Sequence, residues 1–279
     1  MKLTRALLSC PKFPAFRKAS TVEPFVEPVY VETRRSYGGN DVFMLRLNRP
    51  FKQNAINTFM VEHLIVALKV FQQRNSSDAA ILYAKGEDFS LGYDLWHFDK
   101  LFCNTEALID SLKIKKIKAS KCPTSKACQK PIVTAIHGRC ANGGLELALN
   151  SDSIIASDDA VFSLLQYQIG LPLIDDGPQR IAEILGVDKT IEMIQKGTEF
   201  SAQEALELKL IQQVVSKDDL QEAAFDAAST ISKNKGPFNE SSVFRTVYAE
   251  LEKNDALDLV INQSSDLFKI RKAAERVAF

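Results

Sequence analysis

Apolar residues along this chain follow two rhythms that take turns. Residues 79–84 (AAILYA) and 132–136 (IVTAI) are short, nearly unbroken apolar runs. Runs of that length read as strands covered on both faces. Ahead of both, Leu64, Ala67, Leu68 and Phe71 recur at i, i+3, i+4 and i+7, one face of a helix opened by Thr58 as its cap. Residues 29–34 and 42–47 read as two strands joined by a Gly38-Gly39 turn. Asn48-Arg49-Pro50 ends the second, because proline has no N–H to donate and restricts its predecessor. Residues 75–78 close the first helix. Further strands are expected at 153–156, 160–163 and 211–215, and helices at 143–149, 178–185 and 189–195. Ser201 with Glu204 spells a capping box that opens a helix over 202–208. From Leu220 onward the pattern is helical, over 220–233, 243–252 and 256–277. Strands and helices in alternation, then helices alone, predict an α/β core with a helical C-terminal region. The expected boundaries are a leader and linker over 1–28, the core over 29–215 and the helical region over 216–279.

Composition narrows the class. The chain has 279 residues, 46% hydrophobic and 25% charged, which is ordinary for a globular fold. No apolar run reaches the roughly 18 residues of a spanning helix, so no membrane span is expected. Lys+Arg and Asp+Glu both total 35, but unevenly along the chain. Lys2, Arg5, Lys12, Arg17 and Lys18 stand in the first 20 residues with no acid among them. A basic, acid-free leader with Leu3, Leu7 and Leu8 on one prospective helix face reads as a transit peptide directing the chain to the mitochondrial matrix; a disordered arm is the plainer reading. The five cysteines have no CxxC spacing and an odd count, and the three histidines are scattered, so neither a disulfide framework nor a metal site is expected. Lys113, Lys115, Lys116, Lys118, Lys121, Lys126 and Lys130 form an acid-free basic stretch. No aromatic residues interleave with them as stacking on single strands would require, so a solvated face is expected rather than a nucleic-acid partner.

Two segments carry the candidate chemistry. Gly86-Glu87-Asp88-Phe89-Ser90-Leu91-Gly92-Tyr93-Asp94-Leu95 follows the AAILYA strand. His137-Gly138-Arg139-Cys140-Ala141-Asn142-Gly143-Gly144-Leu145-Glu146 follows IVTAI. Each is a strand-to-helix transition with glycine at the turn, where the backbone lets a ligand come close and a helix start offers N–H groups at its positive end. Either turn alone is commonplace and usually only packs. Facing one another, the two would hold a carbonyl oxygen between two N–H donors. Glu146 lies three residues beyond Gly143 with apolar neighbours. Desolvation there is expected to raise its pKa towards proton-transfer duty; a helix-start glutamate favoured by the dipole is the bland alternative.

Together, LNRPFKQNAIN (47–57), EDFSLGYDL (87–95), KPIVTAIHGRCANGGLELALNSD (130–152) and SAQEALELKLIQQVV (201–215) resemble the enoyl-CoA hydratase/isomerase, or crotonase, superfamily. The resemblance implies a spiral of ββα units, a C-terminal helical region used in homotrimer or dimer-of-trimers packing, and a CoA thioester as substrate, with no separate cofactor. Carried over position by position, it implies that the N–H groups of Tyr93 and Gly143 are the oxyanion donors. Because these are main-chain groups, the Tyr93 side chain need not matter. Losing one such donor typically costs about 3–4 kcal/mol of transition-state stabilisation. It also implies that Lys52, Ala55 and Ile56 lie in a CoA-contacting turn, that Asp94 and Leu95 begin a helix beside the acyl pocket, and that Glu146 is the first catalytic glutamate.

The pattern then departs from the hydratases. Gln166 stands where they carry a second glutamate, and an amide holds water but cannot exchange a proton at neutral pH. Ile174 replaces a glycine. Asp175 or Asp176 would supply the missing carboxylate unless both simply cap the helix at Pro178. The leading expectation is hydration of a 2-enoyl-CoA. Double-bond isomerisation on one carboxylate, a CoA-ester-binding protein without catalysis, and RNA binding through the lysines are the alternatives.

Overall fold

The computed structural model describes residues 27–36, 41–94, 130–165, 177–197 and 199–233. The leader, the Gly38-Gly39 turn, Leu95, the lysines from 113 to 126, Gln166, Ile174, Asp175, Asp176 and the helices expected beyond 233 lie outside these residues.

Among the described residues the main sheet has six strands, in the order β1-β2-β3-β4-β6-β9. These are β1 (Val29–Arg35), β2 (Asp41–Leu47), β3 (Ser77–Ala84), β4 (Ile132–Ile136), β6 (Ser153–Ser157) and β9 (Gln213–Val215). β1 and β2 are antiparallel and every later neighbour is parallel. A second sheet joins β5 (Arg139–Ala141), β7 (Val161–Ser163) and β8 (Glu199–Ser201). The helices are α1 (Thr58–Gln73), α2 (Gly143–Leu149), α3 (Gly177–Leu185), α4 (Val187–Lys196), α5 (Ala202–Glu207) and α6 (Leu220–Lys233).

The unbroken apolar runs are explained by burial on both faces. Ala80, Leu82 and Ala84 of β3 join one core with α1, α2 and the second sheet. Ala79, Ile81 and Tyr83 point the other way into a second core. That core is closed by Leu220, Ala224, Phe225 and Ala228, one face of α6. Arg34 fastens the helix from the sheet side, pairing with Glu222 at 3.0 Å and stacking 3.9 Å over the Phe225 ring.

Several expectations shift by a residue or two. Asn57, not Thr58, caps α1: its side chain accepts from the Met60 N–H at 2.9 Å, and Thr58 is the first helical residue. The turn after α1 is shorter than expected, because Ser77 and Asp78 already belong to β3. β9 starts at Gln213 rather than 211. β5 and β8 were not expected at all. Lys130 is no solvated lysine: its ammonium donates to the carbonyls of Phe71, Arg74 and Ser77 at 2.7–3.1 Å, satisfying the C-terminal end of α1.

Candidate functional site

β3 and β4 are parallel neighbours, so their exits fall at the same end of the sheet. Beyond the strands the two chains remain paired. Phe89 N–H donates to His137 O, Ser90 N–H to Arg139 O, and Ala141 N–H back to Ser90 O, at 2.8–3.1 Å. This short ladder carries the two glycine turns side by side. Gly92 has φ +95°, and a Cβ there would lie 2.9 Å from the Gly143 nitrogen and 2.7 Å from Asn142 Cβ. Only glycine permits both the conformation and the approach.

Tyr93 is oriented from the opposite side. Ile56 N–H donates to Gly92 O at 2.7 Å and Asp94 N–H donates to Ile56 O at 2.9 Å. In a parallel bridge of this kind both bonds belong to Ile56, so the Tyr93 N–H and C=O turn away from it. Gly143 is the first residue of α2, and among the described residues no carbonyl accepts its N–H. One turn further in, Glu146 is fully buried, with both carboxylate oxygens closed to solvent. The start of α3 lies against it: a Cβ on Gly177 would sit 2.3 Å from Glu146 Cγ. The Arg180 guanidinium donates to Leu149 O and fixes α3 to the end of α2.

The turn at residues 50–56 is bolted to the same unit. Gln53 and Asn54 both take left-handed φ, +51° and +52°. Asn54 is completely buried and satisfies three main-chain groups: its Oδ1 accepts from Arg49 N–H, and its Nδ2 donates to Lys85 O and Asp88 O, at 2.8–2.9 Å. Ser90 Oγ donates to Asn54 O and Leu91 N–H to Gln53 O. The Arg49 guanidinium meets Asp94 at 3.1 Å, with the two side chains only 9% and 14% exposed, and also donates to Ala55 O. Asp94 is therefore engaged in an ion pair that ties the turn to the segment after Tyr93. Ile56 is a core side chain, 1% exposed, whereas Lys52 and Ala55 are half-buried at the rim.

Sequence reasoning missed Asn142. It has φ +53° and ψ −126°, a conformation that a residue with a side chain rarely adopts. Its Nδ2 donates to Leu91 O at 3.3 Å, its Oδ1 accepts from Leu165 N–H at 2.8 Å, and its own N–H donates to Ser163 O at 2.9 Å. One side chain thus links the Tyr93 turn, the start of α2 and the chain leaving β7, up to the residue before Gln166. Asparagine is among the residues that best tolerate positive φ, and its place directly before a glycine pair was the available signal.

The nearby thiol takes no part in nucleophilic chemistry. Cys140 lies wholly within the core, and burial pushes its pKa well up, so it stays protonated at neutral pH. Arg139 is held protonated by its hydrogen bonds with Asp88, Nε and Nη2 to the two carboxylate oxygens at 3.0 and 2.9 Å. Among the described residues no His/Cys/Asp/Glu group is arranged to hold a metal ion, and no helix is long and apolar enough to cross a membrane.

A mostly parallel sheet whose strand-exit turns pair with a small second sheet is an α/β fold of the crotonase type. The fold matches the solved enoyl-CoA hydratase/isomerase of Xanthobacter autotrophicus Py2 with a TM-score of 0.73 at 24% identity, covering 86% of this chain and 87% of that one. The chain belongs to the enoyl-CoA hydratase/isomerase family, whose profile matches residues 38–276. It is 27% identical to the mitochondrial enoyl-CoA hydratase of Pongo abelii over 274 residues, 96% of this chain and 90% of the relative. It is 30% identical to the putative enoyl-CoA hydratase/isomerase YngF of Bacillus subtilis over 223 residues, 80% of this chain and 84% of the relative.

Proposed function

We propose that this protein hydrates a 2-enoyl-CoA, with the thioester oxygen accepting from the N–H groups of Tyr93 and Gly143 and with Glu146 moving the proton. The observation that carries this reading is the approach of the Gly92-Tyr93 turn to the Gly143 amide, with a buried carboxylate one helical turn away. Electron density pushed onto the thioester oxygen would meet two fixed dipoles, which cost no reorganisation when the charge develops. In the addition, water oxygen bonds to Cβ while Glu146 takes one of its protons. The C=C pair moves into the enolate held by the two N–H groups. Glu146 then returns the proton to Cα, and the carboxylate is restored. Gln166 is suited to holding the water by hydrogen bonds but not to exchanging protons with it. The turn containing Lys52, Ala55 and Ile56 would carry the CoA moiety, brought to the donors by the Arg49–Asp94 pair.

The glutamine at 166 also favours a second reading, double-bond isomerisation, in which Glu146 removes a proton from one carbon and returns it two carbons away. The test is common to both. Glu146→Gln should reduce turnover at least about 1000-fold while acyl-CoA affinity stays within a few-fold. Product analysis of crotonyl-CoA against a 3-enoyl-CoA then assigns the reaction. Undiminished turnover in the variant would remove Glu146 from the chemistry. A location in the mitochondrial matrix is part of the same reading, supported by the basic leader and by the name of the Pongo abelii relative. So is a homotrimeric assembly, which light scattering on the purified chain would measure.

A further inference from the structure

The Tyr93 side chain is not a bystander to its backbone. A Cβ placed on Gly143 would meet Cε2, Cδ2 and Cζ of the Tyr93 ring at 2.7, 2.9 and 3.0 Å. The ring therefore lies along the open side of Gly143, in space that any side chain at 143 would need. A backbone nitrogen and a Cβ on the same residue are about 2.5 Å apart, so the ring edge comes within about 5 Å of the Gly143 nitrogen. An oxygen accepting from that nitrogen sits about 2.9 Å from it. The ring thus borders the place where a thioester carbon and the carbon next to it would lie. It is held from several sides: Ile56 fixes the Tyr93 backbone, the ring packs against the main core, and its hydroxyl oxygen is closed to solvent.

We infer that the Tyr93 ring is a specificity-determining side chain, restricting the site to acyl groups that are slim at the carbon adjoining the thioester. This rests on the reading that Tyr93 and Gly143 bind the thioester oxygen. A straight 2-enoyl chain has a flat, unsubstituted α carbon and passes the ring edge. An α-methyl branch projects from the carbon nearest the ring and must displace it. Because packed aromatic walls do not yield without loss, one methyl group there discriminates by about tenfold to two hundredfold.

The test compares the full-length protein with Y93A and Y93F, using two probe pairs that differ by one α-methyl. Binding is measured by calorimetry with butyryl-CoA and 2-methylbutyryl-CoA, which lack the reactive double bond. Turnover is measured with crotonyl-CoA and tiglyl-CoA. Wild type should prefer the unbranched member of each pair. Y93A should shrink both preferences at least about tenfold, whereas Y93F, which keeps the ring, should retain them. If Y93A does not fold, Y93L carries the same expectation at reduced size. Preferences in Y93A or Y93L within twofold of wild type overturn the inference, as does a wild type indifferent to the methyl group. The two claims fail separately. Binding preferences that respond to Y93A in a protein without turnover uphold the ring's role and defeat the hydratase reading. Turnover abolished by Glu146→Gln, with preferences deaf to Y93A, does the reverse. A wild type that binds none of the esters ends both.

Discussion

Replacing Asn142 by alanine removes two side-chain hydrogen bonds while leaving a Cβ at φ +53°, ψ −126°. Replacing it by glycine removes the same bonds but releases the backbone. The two bonds contribute about 0.5–1.5 kcal/mol each, the one from Leu165 N–H being the shorter and stronger. The backbone conformation stores about 1–3 kcal/mol for any residue with a side chain. N142A should therefore lose about 2 kcal/mol of stability. N142G should lose about 1 kcal/mol or less, because relief of strain offsets part of the deficit. Urea unfolding resolves a difference of this size, provided the slope is unchanged. Activity should rank differently from stability. Both variants free the Tyr93 turn from the start of α2, so both should lose kcat by about 10- to 100-fold with little change in KM, since a displacement near 1 Å at a reacting centre has that effect. An N142A at least as stable as N142G would show that the backbone is not strained. A fully active N142G would show that the side-chain link does not position the proposed donors, Tyr93 and Gly143 N–H.

Phe225→Ala should destabilise by about 3–5 kcal/mol, because it empties the contact between α6 and the second core and removes the surface on which Arg34 stacks; the urea midpoint reports it, and a loss below about 1 kcal/mol would mean α6 hardly contributes. Burial raises the pKa of Asp159, and hydrogen bonds from the Lys217 ammonium, the Ser157 hydroxyl and the Gly138 N–H more than reverse this, leaving the carboxyl below its usual value. Its contribution is thus present above the unfolded-state pKa of about 3.9 and lost as pH falls through the lower folded-state value. Asp159→Asn should flatten the acid limb of the stability curve below about pH 4 by less than about 1 kcal/mol, since the Asp159 and Lys217 side chains are 40% and 53% exposed; an acid limb identical to wild type would remove the pair from the balance.

What could be read in advance follows a physical divide. β4 and α2 fall on their expected residues because an apolar run and a glycine pair are local signals. The two glycine turns were legible for the same reason. The three-residue strands β5 and β8 show no periodicity and exist only through partners distant in sequence. Asn57 took the cap from Thr58 because either side chain suits that position, and the chain's entry angle decides between them. The Arg49–Asp94 pair and the Asn54 bonds join residues some 30–45 positions apart, and nothing in their immediate neighbours announces it. Lys130 looked like one more cation in a basic stretch, but its three carbonyl acceptors are brought to it only by α1 meeting β3. The Tyr93 ring was passed over because its position depends on the emptiness of Gly143, a relation between two turns rather than a property of either.

The ladder that joins Phe89 and Ser90 to His137, Arg139 and Ala141 makes the spacing between the strand exits and the Tyr93 and Gly143 amides a counted quantity. Loss or gain of a single residue between Ser90 and Tyr93 would swap inward for outward amides, much as a slipped tooth reverses the phase of a gear. Natural length variation in relatives should thus be excluded from this interval and collect in the long stretch after Asp94. Anyone grafting this site onto another sheet would need to transplant the ladder along with the residues it carries.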